Sequence, residues 1–198
     1  MILIIAAVFF ALFGFSLNAQ TLPDRYMVDG VAADDVLNIR ALPSASSENI
    51  GELGPDTLNI EVLREMDGWG LVGAGEQPGW VSMNFLAPNP VPENELPRPM
   101  ACFGTEPFWD VTFYPRGVEY NALGEGRRDL AILREAVALN GYVIEAQEGP
   151  TLTRTMTINA LSCSDGMSDR KFGMSITMFT EAPDGNDVRT GCCTLQVN

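Results

Sequence analysis

A chain of 198 residues with 46% apolar and 9% aromatic content can bury one or two hydrophobic cores, which excludes a disordered or low-complexity protein. Its formal net charge of −14 makes nucleic acid and anionic membrane surfaces unfavourable partners and favours a basic protein. The chain contains no histidine, so it cannot form a Ser-His or Cys-His catalytic pair, and we predict a binding protein without a cofactor rather than an enzyme.

The chain begins with an apolar run over residues 2–15, and Ala19 precedes Gln20. The run lies near the upper end of the ~7–15 residues of a signal-peptide core and below the ~18 or more of a membrane span. We therefore predict a signal peptide over residues 1–19 and export to the periplasm or the cell exterior. The alternative is an uncleaved membrane anchor, the one case in which a membrane is a partner.

Residues 25–87 contain short apolar runs separated by turn signals, which is the pattern of a small all-β domain. Turns or loops are predicted at residues 42–47, 54–56, 67–68 and 74–78. Strands are predicted at residues 36–40, 50–53, 58–63, 69–72 and 79–83.

The same stretch carries an ordered set of short motifs: Leu37-Asn38-Ile39-Arg40, Pro43-Ser44, Ile50-Gly51-Glu52-Leu53, Gly68-Trp69, Gly79-Trp80-Val81 and Phe85-Leu86. At these separations the set resembles a bacterial Src-homology-3 type domain over residues 25–87. The resemblance implies a half-open barrel of the kind that exported bacterial proteins use to bind cell-wall peptides, other proteins or a neighbouring domain.

Three residues of this domain are candidates for ligand binding. Arg40 has a planar guanidinium that suits a carboxylate, and Trp69 and Trp80 offer flat faces to a peptide or a sugar. The alternative places Trp80 in the core and pairs Arg40 with groups of its own domain.

Residues 88–100 contain five prolines and are predicted to form a semi-rigid spacer between two domains. Most of the acidity precedes this linker, since residues 20–87 hold 11 acidic against 3 basic residues. Such an excess either attracts a basic partner or keeps an exported protein soluble.

Residues 101–198 alternate between apolar and polar side chains, which predicts half-buried antiparallel strands in a second small barrel or sandwich. The pair Asn140-Gly141 predicts a hairpin and favours a strand over a helix for residues 129–139. The apolar positions that we expect to share a buried face are Trp109, Val111 and Phe113, then Leu152, Met156, Ile158 and Ala160, and then Phe172, Met174, Ile176 and Met178.

All four cysteines, Cys102, Cys163, Cys192 and Cys193, lie in the second domain. In an exported protein they are expected to form two disulfides, and a bond between the adjacent Cys192 and Cys193 would need a strained ring. We predict that these two cysteines belong to different bridges, and alternation places Cys193 on the buried face and Cys192 on the other. A zinc site is the alternative, although no C-x-x-C spacing is present.

Two polar groups in the second domain are further candidates. Glu106 lies before a proline and close to Trp109, and both are candidate binding residues. The surroundings of Glu106 suggest either a general acid or a simple turn. Asp165 and Asp169 follow Cys163 and suggest either a calcium loop or an Asp-Gly turn, although the other acids of an EF-hand loop are missing.

The motifs C-F-G-T-E-P-F-W, C-S-D-G-M-S-D-R and G-C-C resemble an uncharacterised family of exported or membrane-associated bacterial proteins over residues 101–193. More loosely, the second domain is similar to the periplasmic lysozyme inhibitors and to a domain of certain heat-shock-related lipoproteins. Neither resemblance supplies a mechanism.

Three functions follow as hypotheses. The first is a non-catalytic envelope protein that binds a peptidoglycan peptide or an envelope protein. The second is an acidic inhibitor of a basic hydrolase such as lysozyme, and the third is a glycan hydrolase that uses carboxylates.

Overall fold

The computed structural model describes residues 23–89, 92 and 94–196. The predicted signal peptide over residues 1–19 lies outside the described residues. The first eight strands are β1 (Asp24–Val28), β2 (Leu37–Arg40), β3 (Asn49–Leu53), β4 (Ile60–Val62), β5 (Arg64–Met66), β6 (Trp69–Ala74), β7 (Gln77–Ser82) and β8 (Leu86–Pro88).

These eight strands, which we call the N-terminal unit, form two antiparallel sheets in the orders β4-β1-β8 and β3-β2-β7-β6-β5. A short 3-10 helix, Met83–Phe85, connects β7 to β8. The turn signals identified β2, β3, β4, β6 and β7, but β1, β5 and β8 were not predicted. The unit has its own core, formed by Tyr26, Val28, Leu37, Ile39, Ile60, Val62, Val72 and Val81.

The second half of the chain forms a closed antiparallel barrel in which each strand pairs with the next and β16 pairs with β9. The all-β class and the barrel are therefore confirmed. Its strands are β9 (Met100–Thr105), β10 (Phe108–Tyr114), β11 (Gly117–Ala122), β12 (Gly126–Ala138), β13 (Gly141–Glu148), β14 (Leu152–Asn159), β15 (Met174–Ala182) and β16 (Gly185–Thr194).

The barrel interior is filled with side chains, as expected for eight strands. The predicted alternation places most of the expected apolar residues inside, but Ala160 follows the end of β14 and is exposed. The members that lie in the barrel core are Trp109, Val111, Phe113, Met156, Ile158, Met174, Ile176 and Met178. Phe172 is buried against Phe103 and does not belong to that core, and Leu152 is half-buried.

Two disulfides fix the end of the chain, and the prediction that the adjacent cysteines belong to different bridges is confirmed. Cys193 points into the barrel and bonds to Cys102, its direct partner across the β9–β16 pair. Cys192 bonds to Cys163 in the loop between β14 and β15. Two disulfides indicate an oxidising, non-cytoplasmic location. No helix among the described residues is long and apolar enough to cross a bilayer.

The predicted hairpin is present, but its turn is displaced by one residue. Ala138 pairs with Gly141, so Leu139 and Asn140 form the turn and Gly141 begins β13. Glycine is needed at position 141 because a Cβ there would lie 2.0 Å from the carbonyl oxygen of Ile158 on β14. The residue therefore permits a close approach of two strands and does not supply a left-handed turn.

The proline-rich stretch is less of a spacer than its composition predicts. Leu96 is 3% exposed and belongs to the barrel core. Arg98 forms a salt bridge with Glu135 of β12, and its carbonyl oxygen accepts a hydrogen bond from Arg25 of β1. The linker is thus packed against both halves of the chain.

Glu61 connects the N-terminal unit to the barrel. Its side chain points away from its own core, and its Oε2 accepts a hydrogen bond from Thr194 Oγ1 at 2.6 Å while Oε1 accepts one from the Leu195 amide at 3.1 Å. Burial raises the pKa of Glu61, although both hydrogen bonds and the nearby charge of Arg170 oppose this rise. A nearly fully buried carboxylate therefore holds the contact between the two halves.

This carboxylate predicts a pH dependence of stability. Because the pKa of Glu61 is higher in the folded than in the unfolded chain, its stabilising contribution is complete below the ordinary value of 4.5 and is lost as the pH rises through the folded pKa. Glu61→Gln has no ionisable group at this position. We therefore expect its free energy of unfolding, measured with denaturant, to increase relative to that of the wild type as the pH rises.

Two further variants test the role of Glu61. Glu61→Ala leaves the Thr194 hydroxyl and the Leu195 amide without an acceptor and is expected to cost about 1–3 kcal/mol. Glu65→Gln, which makes the same substitution at an exposed position on β5, is the matched control. If the stability of Glu61→Gln and of the wild type changed with pH in parallel, the raised pKa of Glu61 in the folded protein would be contradicted.

Candidate functional site

A concave surface of about 480 Å³ lies on the N-terminal unit and brings together two of the predicted ligand-binding residues, Arg40 and Trp69. We call it the Arg40 groove. Its lining residues are Gly30, Val31, Ala32, Asp35, Val36, Leu37, Asn38, Arg40, Ala45, Trp69, Ser82 and Phe85.

The hairpin between β5 and β6 positions Trp69. Asp67 and Gly68 form its two-residue turn, both with positive φ (50° and 76°), which asparagine, aspartate and glycine tolerate best. Trp69 follows the turn directly, pairs with Met66 and Ser82, and is half-buried. One part of the indole is thus fixed by the sheet while another part faces the groove.

Arg40 enters the groove from the end of β2. Leu37 and Ile39 point into the core, so the alternation of the strand directs Arg40 outwards. Its Nη1 donates to the carbonyl oxygen of Ser47 at 3.1 Å, which is its single side-chain hydrogen bond within the described part of the chain. The remaining donors of the guanidinium are available to a ligand.

The rim of the groove supplies an aromatic ring and an acid. Phe85, in the 3-10 helix, is 42% exposed and lines the groove, so part of its ring is accessible there. Asp35 is exposed, and its Oδ1 accepts a hydrogen bond from the amide of Val36. The groove therefore presents one cation, one anion and two aromatic faces.

The other two predicted tryptophans are buried. Trp80 is 7% exposed, and the guanidinium of Arg64 lies 5.2 Å from its ring centroid. Trp109 is 3% exposed and packs over Gly104, where a Cβ would come within 2.2 Å of the indole Nε1. Trp109 belongs to the barrel core, and Trp80 is buried on the face of β7 opposite the core residue Val81.

The predicted carboxylates do not form a single site. Glu106 is exposed in the turn between β9 and β10, and Asp169 is exposed in the loop that follows β14. Asp165 is committed to its own loop: Oδ1 accepts from the amides of Met167 and Ser168, and Oδ2 accepts from the Ser168 hydroxyl. These bonds, the Ser168 amide above all, lower the pKa of Asp165, and the arrangement is that of an Asp-Gly turn.

No group of three or more Asp, Glu, Cys or His side chains that fits a metal ion occurs among residues 23–89, 92 and 94–196.

A cluster of charged residues that the sequence analysis did not identify closes one end of the barrel. We call it the arginine cluster; its members are Tyr120, Glu125, Arg128, Glu148, Arg154, Asp187 and Arg189. Arg154 is 3% exposed and points inwards from β14, with its guanidinium 3.8 Å from the centroid of the Tyr120 ring.

Hydrogen bonds satisfy the buried members of this cluster. Arg154 donates to Glu148 through Nε and Nη2, at 3.1 and 2.5 Å, and to Thr180 through Nη1. Burial alone would raise the pKa of Glu148, but the hydrogen bonds from Arg154 and Arg128 hold it below the ordinary value. Arg189 donates to the hydroxyl of Tyr120. With its donors and acceptors paired, the cluster is a structural closure of the barrel.

A signal for Arg154 was present in the sequence. Arg154 is an even number of residues from Leu152, Met156 and Ile158 on β14. The alternation of side chains along a strand therefore places it on the same inner face. A buried arginine then requires an acidic partner, which the half-buried Glu148 supplies from the adjacent strand.

No protein-family model matches the chain, and no curated protein or solved structure was found to be similar to it.

The ion pair in the arginine cluster predicts strong coupling. Glu148→Gln or Arg154→Met alone leaves one buried charge without its partner and is expected to cost about 3–5 kcal/mol. The double variant should cost clearly less than the sum, which denaturant unfolding of the four proteins measures. Additive costs would show that the two side chains act independently. Glu119→Gln with Arg127→Met, a pair of which Arg127 is largely exposed, is the matched control and should be near zero.

Proposed function

We propose that this protein is an exported, non-catalytic envelope protein whose N-terminal unit binds a zwitterionic peptide in the Arg40 groove. The observation that carries the proposal is that Arg40, Asp35, Trp69 and Phe85 line one concave surface. A cation, an anion and two aromatic faces on one surface complement a peptide end that carries a carboxylate, an amino group and an apolar side chain.

The guanidinium of Arg40 recognises the carboxylate. Its planar fork forms two parallel hydrogen bonds to a carboxylate, and only Nη1 is already engaged within the unit. The hydrogen bond to Ser47 orients the fork before the ligand arrives, which reduces the entropy lost on binding. Trp69 and Phe85 pack against the apolar part of the peptide.

The location of the protein supports this class of ligand. Two disulfides indicate an oxidising compartment, and the apolar N-terminal run favours export to the periplasm or the cell exterior. Peptides with free amino and carboxyl groups occur there as the stem peptides of peptidoglycan and as protein termini. The resemblance of residues 25–87 to a bacterial Src-homology-3 type domain agrees with a wall peptide.

The candidates for catalysis support binding over turnover. Glu106 is exposed at a turn, and both oxygens of Asp165 accept hydrogen bonds within their own loop. Histidine is absent from the sequence, so the commonest general base is missing. These observations favour a binding protein over an enzyme.

Titration calorimetry with a peptidoglycan stem peptide tests the proposal. Trp69→Ala is expected to weaken binding about tenfold and Trp69→Phe much less, because a second aromatic ring retains part of the contact. Arg40→Lys, which keeps the charge but loses the fork, should weaken binding about fivefold. Amidation of the peptide carboxyl group should weaken binding to the wild type more than to Arg40→Lys.

Matched controls lie outside the groove. Leu42→Ala, 65% exposed, and Arg116→Lys, in the turn between β10 and β11, should bind as the wild type does. A free C-terminal peptide of ordinary L-residues distinguishes protein termini from wall peptides as the source of the ligand. Equal affinity for the free and amidated peptides would overturn the role of Arg40.

Incubation with purified peptidoglycan tests the absence of catalysis. We expect mass spectrometry to find no soluble fragments beyond those of the buffer control, with the wild type as with Glu106→Gln. Release of fragments that is lost in Glu106→Gln but retained in Trp69→Ala would locate a hydrolase site in the barrel.

A further inference from the structure

A second concave surface, of about 620 Å³, lies where the N-terminal unit meets the barrel. The turn between β6 and β7 contributes Glu76, and the barrel contributes the ends of β9, β10 and β11 and the loop between β14 and β15. We call it the Phe108 cleft. It shares no lining residue with the Arg40 groove.

Large apolar side chains on the cleft are exposed to solvent. Phe108, at the start of β10, is 51% exposed, Leu123, after β11, is 78% exposed, and Met167, in the loop between β14 and β15, is 69% exposed. Single exposed apolar residues are common, but three that converge on one concave surface are typical of an interaction site. Phe103 and Phe172, in edge contact with ring centroids 5.0 Å apart, also line the cleft.

The charges around these side chains are mainly negative. Glu76 is exposed, and Asp110 is half-buried, with its Oδ1 accepting a hydrogen bond from Asn121. Arg170 is the one cationic side chain among the described residues that line the cleft. Its charge lies close enough to the buried Glu61 to lower the pKa of that carboxyl, and its Nη2 donates to Gln196.

The acidity of the whole molecule acts in the same direction. A net charge of −14 attracts cations at long range, and Glu106 and Asp169 add exposed acids in segments that border the cleft. A ligand complementary to this surface combines positive charge with an apolar side chain.

We propose that the Phe108 cleft binds a cationic segment of another protein, in which a lysine or arginine lies beside an aliphatic or aromatic residue. The apolar side chain packs against Phe108, Leu123 and Met167, and the cation lies near Glu76 and Asp110. Because the N-terminal unit supplies Glu76 and the barrel supplies the other contacts, the site exists only while the two halves are docked. This binding is separate from the peptide binding proposed for the Arg40 groove.

Fluorescence anisotropy with a synthetic peptide in which lysines flank a leucine and a phenylalanine tests the inference on the full chain. We expect this peptide to bind with an affinity that falls as salt is added. Two control peptides, one with glutamine in place of lysine and one with serine in place of the apolar residues, should each bind at least about tenfold more weakly, since each lacks one of the two contributions.

Matched variants locate the contact. Leu123→Ser and Glu76→Gln are expected to weaken binding about fivefold each, the effect of losing roughly 1 kcal/mol at an interface. Leu139→Ser, 98% exposed at the tip of the β12–β13 hairpin, and Glu48→Gln, exposed on the N-terminal unit, should bind as the wild type does. All four positions lie on the surface, and circular dichroism should confirm that each variant is folded.

Three results would overturn the inference. The first is no measurable binding of the cationic peptide to the wild type. The second is an equal loss in Glu48→Gln and Glu76→Gln, which would show attraction to the overall charge. The third is an equal loss in Leu139→Ser and Leu123→Ser, which would place the apolar contact elsewhere. Trp69→Ala should leave this affinity unchanged, so failure of the Arg40 groove and failure of the Phe108 cleft are distinguishable.

Discussion

The pairing of β16 with β9 is the constraint on which the rest of the molecule depends. It converts eight strands into a closed barrel with no free edges, and the Cys102–Cys193 bond fixes it covalently across a separation of 91 residues. Thr194 and Leu195, directly after Cys193, donate the two hydrogen bonds that the Glu61 carboxylate accepts. The β9–β16 pair that closes the barrel is therefore also next to the residues that bind the N-terminal unit. Loss of this pair would disturb both the barrel and its contact with the N-terminal unit.

Two carboxylates, the buried Glu61 and the half-buried Glu148, respond to acid in opposite senses. Glu61 has neutral partners and a raised pKa, so protonation favours its buried state. Glu148 has two arginine partners and a lowered pKa, so its stabilising contribution is present above the ordinary value and is lost as the pH falls through the folded pKa. Acid thus favours the contact between the two halves while it weakens one end of the barrel.

The sequence predicted local structure well wherever alternation or a turn residue decides it. Asp67 and Gly68 form the predicted turn directly before Trp69. Alternate residues of β10, β14 and β15 form the inner face of the barrel, as the sequence predicted. Glu61 was missed because alternation correctly turns it away from its own core, and nothing local shows that the barrel covers that face. The burial of Leu96 was missed for the same reason, since the composition of the linker does not show what packs against it.

The candidate site was predicted only in part. Arg40 and Trp69 were recognised as separate residues, and the fold places them on one surface. Phe85 and Asp35 were not selected, because their contribution depends on the 3-10 helix and on the loop before β2 lying beside each other. Trp109 is buried on the inner face of β10, as alternation predicts, whereas Trp80 is buried on the face of β7 opposite the core residue Val81, which alternation alone does not show.

The opposite orientation of Cys192 and Cys193 has a consequence for oxidative folding. Adjacent residues of a strand face opposite sides, so exchanging their partners would require β16 to slip by one residue and turn its inner face outwards. A molecule with exchanged bridges is therefore also a molecule with a shifted last strand. The pairing of the four cysteines therefore reports whether the barrel closed in the correct register. Reshuffling exchanged disulfides to the native pairing would also return β16 to its native register.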